Sequence, residues 1–187
     1  MDAPQRRSTH VTSTLTLPLT ATRYPTGLDF DALYRGARDD VFAYVATLLG
    51  DRSAAEDVTA TAFERAYRRR RTYKAARGTQ RAWLFGIARN AALDELRRRA
   101  RHATLAAEPA DPATPAPEDA LDATLQRAAL RTALAALPAR DRELIALRFH
   151  AGLDTSELAG VLGVSKTNAG TLLHRAMTEL REAIDVN

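Results

Sequence analysis

The chain has 187 residues, enough for one large domain or two small ones, and its 45% hydrophobic and 27% charged content is ordinary for a globular protein. It has no cysteine, which excludes disulfide scaffolds, zinc–cysteine centres, thiol nucleophiles and thiol redox sensing. The formal charge of +4 hides an asymmetry: residues 65–101 hold thirteen basic side chains against Asp94 and Glu95, a surplus of eleven, so the remainder carries a deficit of seven.

Residues 1–27 are rich in Thr, Ser and Pro, show no hydrophobic period, and are expected to be a disordered tail. The apolar stretch around Leu15, Leu17 and Leu19 is too short and polar for a signal-peptide core, and no run approaches the ~20 apolar residues of a membrane span. A cytoplasmic location without membrane insertion follows as the expectation.

Over residues 29–49, Phe30, Leu33, Tyr34, Ala37, Val41, Val45 and Leu48 recur at three- and four-residue spacing and predict a first helix. Gly50 stops it, and Ser53 with Glu56 fits a capping box for a second helix to about residue 71, with Val58, Ala62, Phe63, Ala66 and Tyr67 inward. A basic break over 72–78 precedes a third helix from residue 79 or 80 to about 101, with Trp83, Leu84, Ile87, Ala88, Ala91 and Leu96 inward. Residues 103–124 hold four prolines and five acidic residues with no basic one, the composition of a linker. Helix returns over 125–137 with Leu130, Leu134 and Leu137 on one face, and Pro138 suits the start of the next helix, which Gly152 ends. Asp154 with Glu157 then caps a two-turn helix, Gly163 supplies a left-handed turn position, and Ser165 caps a final helix to about residue 184. Short helix, glycine turn and capped longer helix form the helix-turn-helix pattern. The predicted fold is all-α: two small helical domains, residues 28–102 and 125–187, joined by a flexible acidic proline-rich linker.

Two stretches carry chemistry. In a helix-turn-helix the second helix enters the major groove and its first turns meet base edges. The exposed polar residues there are Ser165, Lys166, Thr167, Asn168 and Thr171, with His174 and Arg175 a turn further on. The bland alternative is a helical hairpin in a small bundle. The second stretch is the third helix and the break before it. Tyr73, Arg77, Arg81 and Trp83 interleave aromatic rings with positive charge, a composition suited to single-stranded DNA, where rings stack on bases and charge follows the backbone. Arg97, Arg98, Arg99 and Arg101 crowd the far end, where they also complement the helix dipole. Trp83 reads as a core residue sooner than as a stacking ring, and the lesser alternative for the whole basic stretch is a solvated face. His10, His102, His150 and His174 lack metal-ligand spacing, and no phosphate loop or Ser-His-Asp arrangement can be drawn. No enzyme activity, cofactor or metal is expected.

Several segments together resemble the extracytoplasmic-function class of bacterial RNA polymerase sigma factors. They are Ala55-Glu56-Asp57-Val58, Phe63-Glu64-Arg65-Ala66-Tyr67, Ala82-Trp83-Leu84-Phe85-Gly86-Ile87-Ala88-Arg89-Asn90 and Asp94-Glu95-Leu96-Arg97-Arg98 in the first module. In the second they are Ala135-Ala136-Leu137-Pro138, Arg142-Glu143, Leu147-Arg148-Phe149, Gly152-Leu153, Glu157-Leu158-Ala159, Leu162-Gly163-Val164-Ser165 and His174-Arg175-Ala176. The resemblance implies a promoter-specificity subunit. It implies that Glu56, Asp57, Val58, Phe63 and Tyr67 dock on the clamp helices of the core polymerase's largest subunit. It implies that Tyr73, Arg77, Arg81, Trp83, Asn90, Arg97 and Arg98 open and read the −10 element, and that the helix-turn-helix reads the −35 element and meets the flap of the second-largest subunit. An anti-sigma factor is implied as a further partner.

The expected linker of about 20 residues spans at most ~65 Å, against ~55 Å between the two promoter elements. The chain departs from the family pattern at Ala60-Thr61, where a Gln-Glu pair is usual, and at Gly170 and Leu172, often basic, which predicts weakened phosphate contact upstream. The alternatives are a stand-alone helix-turn-helix regulator binding duplex operator, and a sigma-like subunit that does not support initiation.

Overall fold

The computed structural model describes residues 28–106 and 121–185, and among them every regular element is helical. The tail expected over 1–27 lies outside the described residues. The helices are α1 (Phe30–Leu49), α2 (Arg52–Arg69), α3 (Gln80–Ala106), α4 (Leu121–Ala136), α5 (Ala139–Phe149), α6 (Thr155–Leu162) and α7 (Lys166–Asp185). Both ends of the stretch expected as linker, 103–106 and 121–124, are helical, and its middle lies outside the described residues.

Helix ends follow local chemistry. Asp29 caps α1 by accepting from the Ala32 N–H at 3.0 Å, and Gly50 ends it at φ 64°, donating its N–H to Ala46 O. The cap of α2 is Asp51, which accepts from Ala54 N, and not Ser53, which lies inside the helix. Asp51 is also bound by Arg99 of α3 at 2.7 Å, so its two carboxylate oxygens serve the helix end and a cation together, and only the charged group pairs with the cation. The Asp154–Glu157 capping box of α6 is complete in both directions, and Gly163 follows at φ 69°.

The helices α1, α2 and α3 pack on one another, as do α4, α6 and α5 around α7. The core of the first group is Val41, Tyr44, Val45, Ala55, Ala62, Leu84, Phe85 and Ala88, with Tyr44 edge-on to Phe85 at 5.5 Å. This core does not stop at the module boundary. It runs on through Ala146, Leu147, Ala151, Leu153 and Leu158, because α5 lies against α1 and α6 against α3. A smaller cluster of Ala133, Leu137, Ile145, Ala176 and Leu180 closes the other side. Leu130, expected on that face, is exposed, and Ala133 occupies the inward position.

Candidate nucleic-acid and polymerase interfaces

The break before α3 is two short 3-10 turns, Arg70–Thr72 and Ala75–Arg77. Tyr73 folds it shut: its hydroxyl donates to Gly78 O at 3.1 Å, and its ring meets Trp83 edge-on at 5.7 Å. Gly78 has φ 140°, a conformation other residues rarely adopt. Thr79 then caps α3, accepting from Ala82 N at 3.1 Å. The loop and the first three turns of α3 thereby form one wall of a groove of about 600 Å3 that gathers Tyr73, Arg77, Trp83 and Asn90 with Lys74. The opposite wall is α6, through Ser156, Glu157, Gly160 and Val161. Trp83 is half-buried, so it is neither a sealed core residue nor a free ring.

Three other residues expected at this site lie elsewhere. Arg81 sits at the seam between the modules. Its guanidinium donates to Asp40, to His150 O at 2.9 Å and to Ala151 O, closing the C-terminal end of α5. Arg97 lies about 21 Å along α3 from Trp83, with Arg98 beside it. Arg98 grips Glu95 with two bonds of 2.8 and 2.7 Å, and Arg97 faces Asp94 at 3.4 Å. The bonds from Arg98, and then from Arg99, hold the Glu95 carboxyl down at about 2. Both arginines remain more than half exposed.

In the helix-turn-helix, Ser165, Lys166, Thr167, Asn168, Thr171, His174 and Arg175 are all exposed along the first turns of α7. Ser165 Oγ accepts from Asn168 N at 3.2 Å, which makes it the helix cap, and Thr171 donates to Thr167 O. Arg175 is drawn toward Asp141 and Glu179, at 3.4 and 3.5 Å. Leu172 is buried, and a side chain at Gly170 would meet the Thr155 methyl at 3.7 Å. Leu172 therefore faces the core, and Gly170 is half-buried beside α6.

On α2, Glu56 and Asp57 are exposed, Tyr67 is half-exposed under the Arg70 guanidinium (3.9 Å to the ring centre), and Val58 and Phe63 are buried. A groove between α1 and α2 is lined by Tyr34, Arg38, Phe42, Ala60 and Phe63 among others. Tyr34 was expected inward; it is exposed, edge-on to Phe63 at 4.8 Å.

Sequence reasoning missed the charges at the seam. Glu143 of α5 is buried and paired with Arg89 of α3 at 2.7 Å. The Tyr44 hydroxyl is buried beside them with no hydrogen-bond partner at normal geometry, and burial, then the Glu143 charge, pushes its pKa well up. The partners lie 54 positions apart, so no local pattern announces them.

The seven α-helices of the described residues, with a basic groove beside aromatic residues and a complete helix-turn-helix, fit a two-module transcription protein. The family models agree: Sigma-70 region 2 matches residues 33–102 and Sigma-70 region 4 matches residues 127–180. The chain is 33% identical over 151 residues to the ECF RNA polymerase sigma factor SigL of Mycobacterium tuberculosis, covering 80% of this chain and 85% of that one. It is 34% identical over 154 residues to the ECF RNA polymerase sigma factor BldN of Streptomyces coelicolor, covering 81% of this chain and 58% of that one. Among solved structures, a sigma factor RpoE from Bartonella quintana, in complex with the anti-sigma factor NepR, shares the fold at TM-score 0.72 and 23% identity, over 85% of this chain and 98% of that one. The chain belongs to the extracytoplasmic-function RNA polymerase sigma factors, subunits that bind core polymerase and direct transcription initiation. The stand-alone regulator is not favoured.

Proposed function

We propose that the groove of Tyr73, Arg77, Trp83 and Asn90 receives the unpaired strand of the −10 element, while the exposed first turns of α7 read the −35 element as duplex. Melting a few base pairs costs several kcal/mol, and a surface that stacks bases and neutralises phosphates offsets it. Arg97 and Arg98 extend the positive track along α3. Ser165, Lys166, Thr167, Asn168 and Thr171 meet the major groove, with His174 and Arg175 at its edge. Glu56, Asp57 and Tyr67 face the polymerase clamp beside the α1–α2 groove, and buried Val58 and Phe63 hold that surface in shape. The module bounds proposed are those of the two expected domains, with helix α3 extended to Ala106 and helix α4 begun at Leu121. The protein acts in the cytoplasm by binding, with no chemical step. No helix among the described residues is long and apolar enough to cross a membrane. An anti-sigma factor is a partner by analogy with the sigma factor RpoE of this fold, which is described in complex with the anti-sigma factor NepR.

The observation that carries the reading is the convergence of four residues from one loop and one helix on a single basic groove, away from the exposed row of α7. Run-off transcription with core polymerase tests it. Trp83→Ala with Asn90→Ala should abolish open complexes while leaving co-purification with core intact. Unchanged transcription overturns the groove assignment.

A further inference from the structure

The cations at the mouth of the groove ride on a loop that a single side chain closes. Between α2 and α3 the chain makes two 3-10 turns, and Lys74, which joins them, is extended at φ −131° and ψ 113°. Within the loop Arg77 N–H donates to Lys74 O at 2.9 Å and Gly78 N–H to Ala75 O at 3.3 Å. Both bonds are local, and neither ties the loop to α3. Tyr73 does that. Its hydroxyl reaches five residues on to Gly78 O at 3.1 Å, and its aromatic ring lies edge-on to Trp83 of α3 at 5.7 Å. Residues 73–78 are thereby closed on themselves and seated on the start of the helix.

Gly78 permits the closure. At φ 140° and ψ 176° it stands where an L side chain is strained, although nothing lies within 4 Å of a Cβ built there. Backbone angle, and no neighbour, favours glycine at this position. What the closed loop carries is charge. Lys74 and Arg77 are both exposed, and neither forms an ion pair among the described residues. Arg97 and Arg98, by contrast, lie against Asp94 and Glu95. With no carboxylate to aim them, Lys74 and Arg77 point where the loop backbone sends them.

We propose that Tyr73 is a positioning residue for strand capture: its hydroxyl bond to Gly78 O and its contact with Trp83 brace the 73–78 loop, so that Lys74 and Arg77 meet the phosphates of the strand already placed, and Tyr73 itself stacks on no base. The proposal rests on the assignment of the groove to unpaired DNA. An unbraced loop must be ordered as the strand arrives, and the entropy of that ordering is subtracted from binding. The brace therefore acts when the strands separate and not when duplex promoter docks.

Tyr73→Phe keeps the stacking surface and removes the hydroxyl bond, so it separates bracing from stacking. With core polymerase and a promoter that the native holoenzyme opens, Tyr73→Phe should slow open-complex formation about three- to tenfold, read by permanganate reactivity of unpaired thymines, with core binding and closed-complex affinity unchanged. A full rate for Tyr73→Phe beside a loss in Tyr73→Ala would make the ring a stacking platform and overturn the proposal. So would an equal fall in core binding, which marks damage to the whole module. Gly78→Ala should slow opening in the same way. The double variant should be no slower than the slower single one, because both changes break one closure, and additive losses overturn the brace.

The loop also reports on itself without DNA. Trypsin cleaves after Lys74 and Arg77, and in the free full-length chain Tyr73→Phe should raise cleavage at these two bonds about three- to tenfold. Unchanged cleavage overturns the brace, whatever transcription shows. Faster cleavage with an unchanged opening rate instead overturns the assignment of the groove to unpaired DNA, on which the proposal rests.

Discussion

Arg89 and Glu143 show what a single buried charge demands. Both ions give up water at the seam, and each is tolerable only because the other is there at 2.7 Å. Arg89→Ala leaves the Glu143 carboxylate buried without its cation, and should cost about 3–5 kcal/mol in urea denaturation. Replacing both by apolar residues of similar volume should recover most of that loss, because the desolvation cost disappears with the charges. His150 is a second residue whose state depends on the seam. Its Nε2 lies 3.2 Å from Thr47 Oγ1, with Asp40 and Arg81 close by. Burial lowers its pKa from 6.5, against a smaller opposing pull from Asp40. The folded imidazole is therefore neutral where the unfolded one is already protonated, and stability is full above pH 6.5 and falls as the solution is acidified below it. Melting temperature should drop between pH 7.5 and 5.5, and a His150→Gln variant should lose that slope. The Glu95 carboxyl, held at about 2, contributes in a separate window: its stabilisation is present above 4.5 and is lost as pH falls toward 2.

At the scale of elements, α3 divides its work along its length. Its first turns face a groove, and toward its far end Arg97 and Arg98 sit in ion pairs with their own helix, Arg98 on Glu95 and Arg97 near Asp94. Arg97→Ala with Arg98→Ala should lower the salt dependence of holoenzyme–promoter binding by up to about two in slope if both reach phosphate. An unchanged slope would leave them as counter-charges of α3. In α7 buried Leu172 interrupts the exposed row, which resumes at His174 and Arg175. Asn168→Ala should change preference by about 1–3 kcal/mol at one upstream base pair, measured across a promoter library, and a uniform loss would assign Asn168 to phosphate. The caps tell a similar story of local against distant control. Asp154 and Glu157 are three residues apart and were legible as a box, whereas the choice of Asp51 over Ser53 for α2 follows from Arg99, which arrives from another helix.

Among the described residues the larger of the two apolar clusters crosses the module boundary. Leu147 of α5 is fully buried among residues of both groups. Leu147→Ala should cost about 2–5 kcal/mol and lower the melting of both modules together in calorimetry, as one transition. Two separate transitions, with only the second shifted, would mean that the modules unfold independently.

The sequence by itself determined the all-helical class, the order of the helices, the helix-turn-helix and the aromatic-basic stretch. Each of these rests on spacings of three or four residues or on composition within one segment, which short-range physics dictates. The tertiary structure alone decided which of those residues are free to bind. Arg81 binds the end of α5, Tyr34 is exposed, Leu172 is buried, and Glu157 meets Thr79 across 78 positions. Those outcomes depend on desolvation and pairing between side chains distant in sequence, and only the closing of the chain brings such partners within reach.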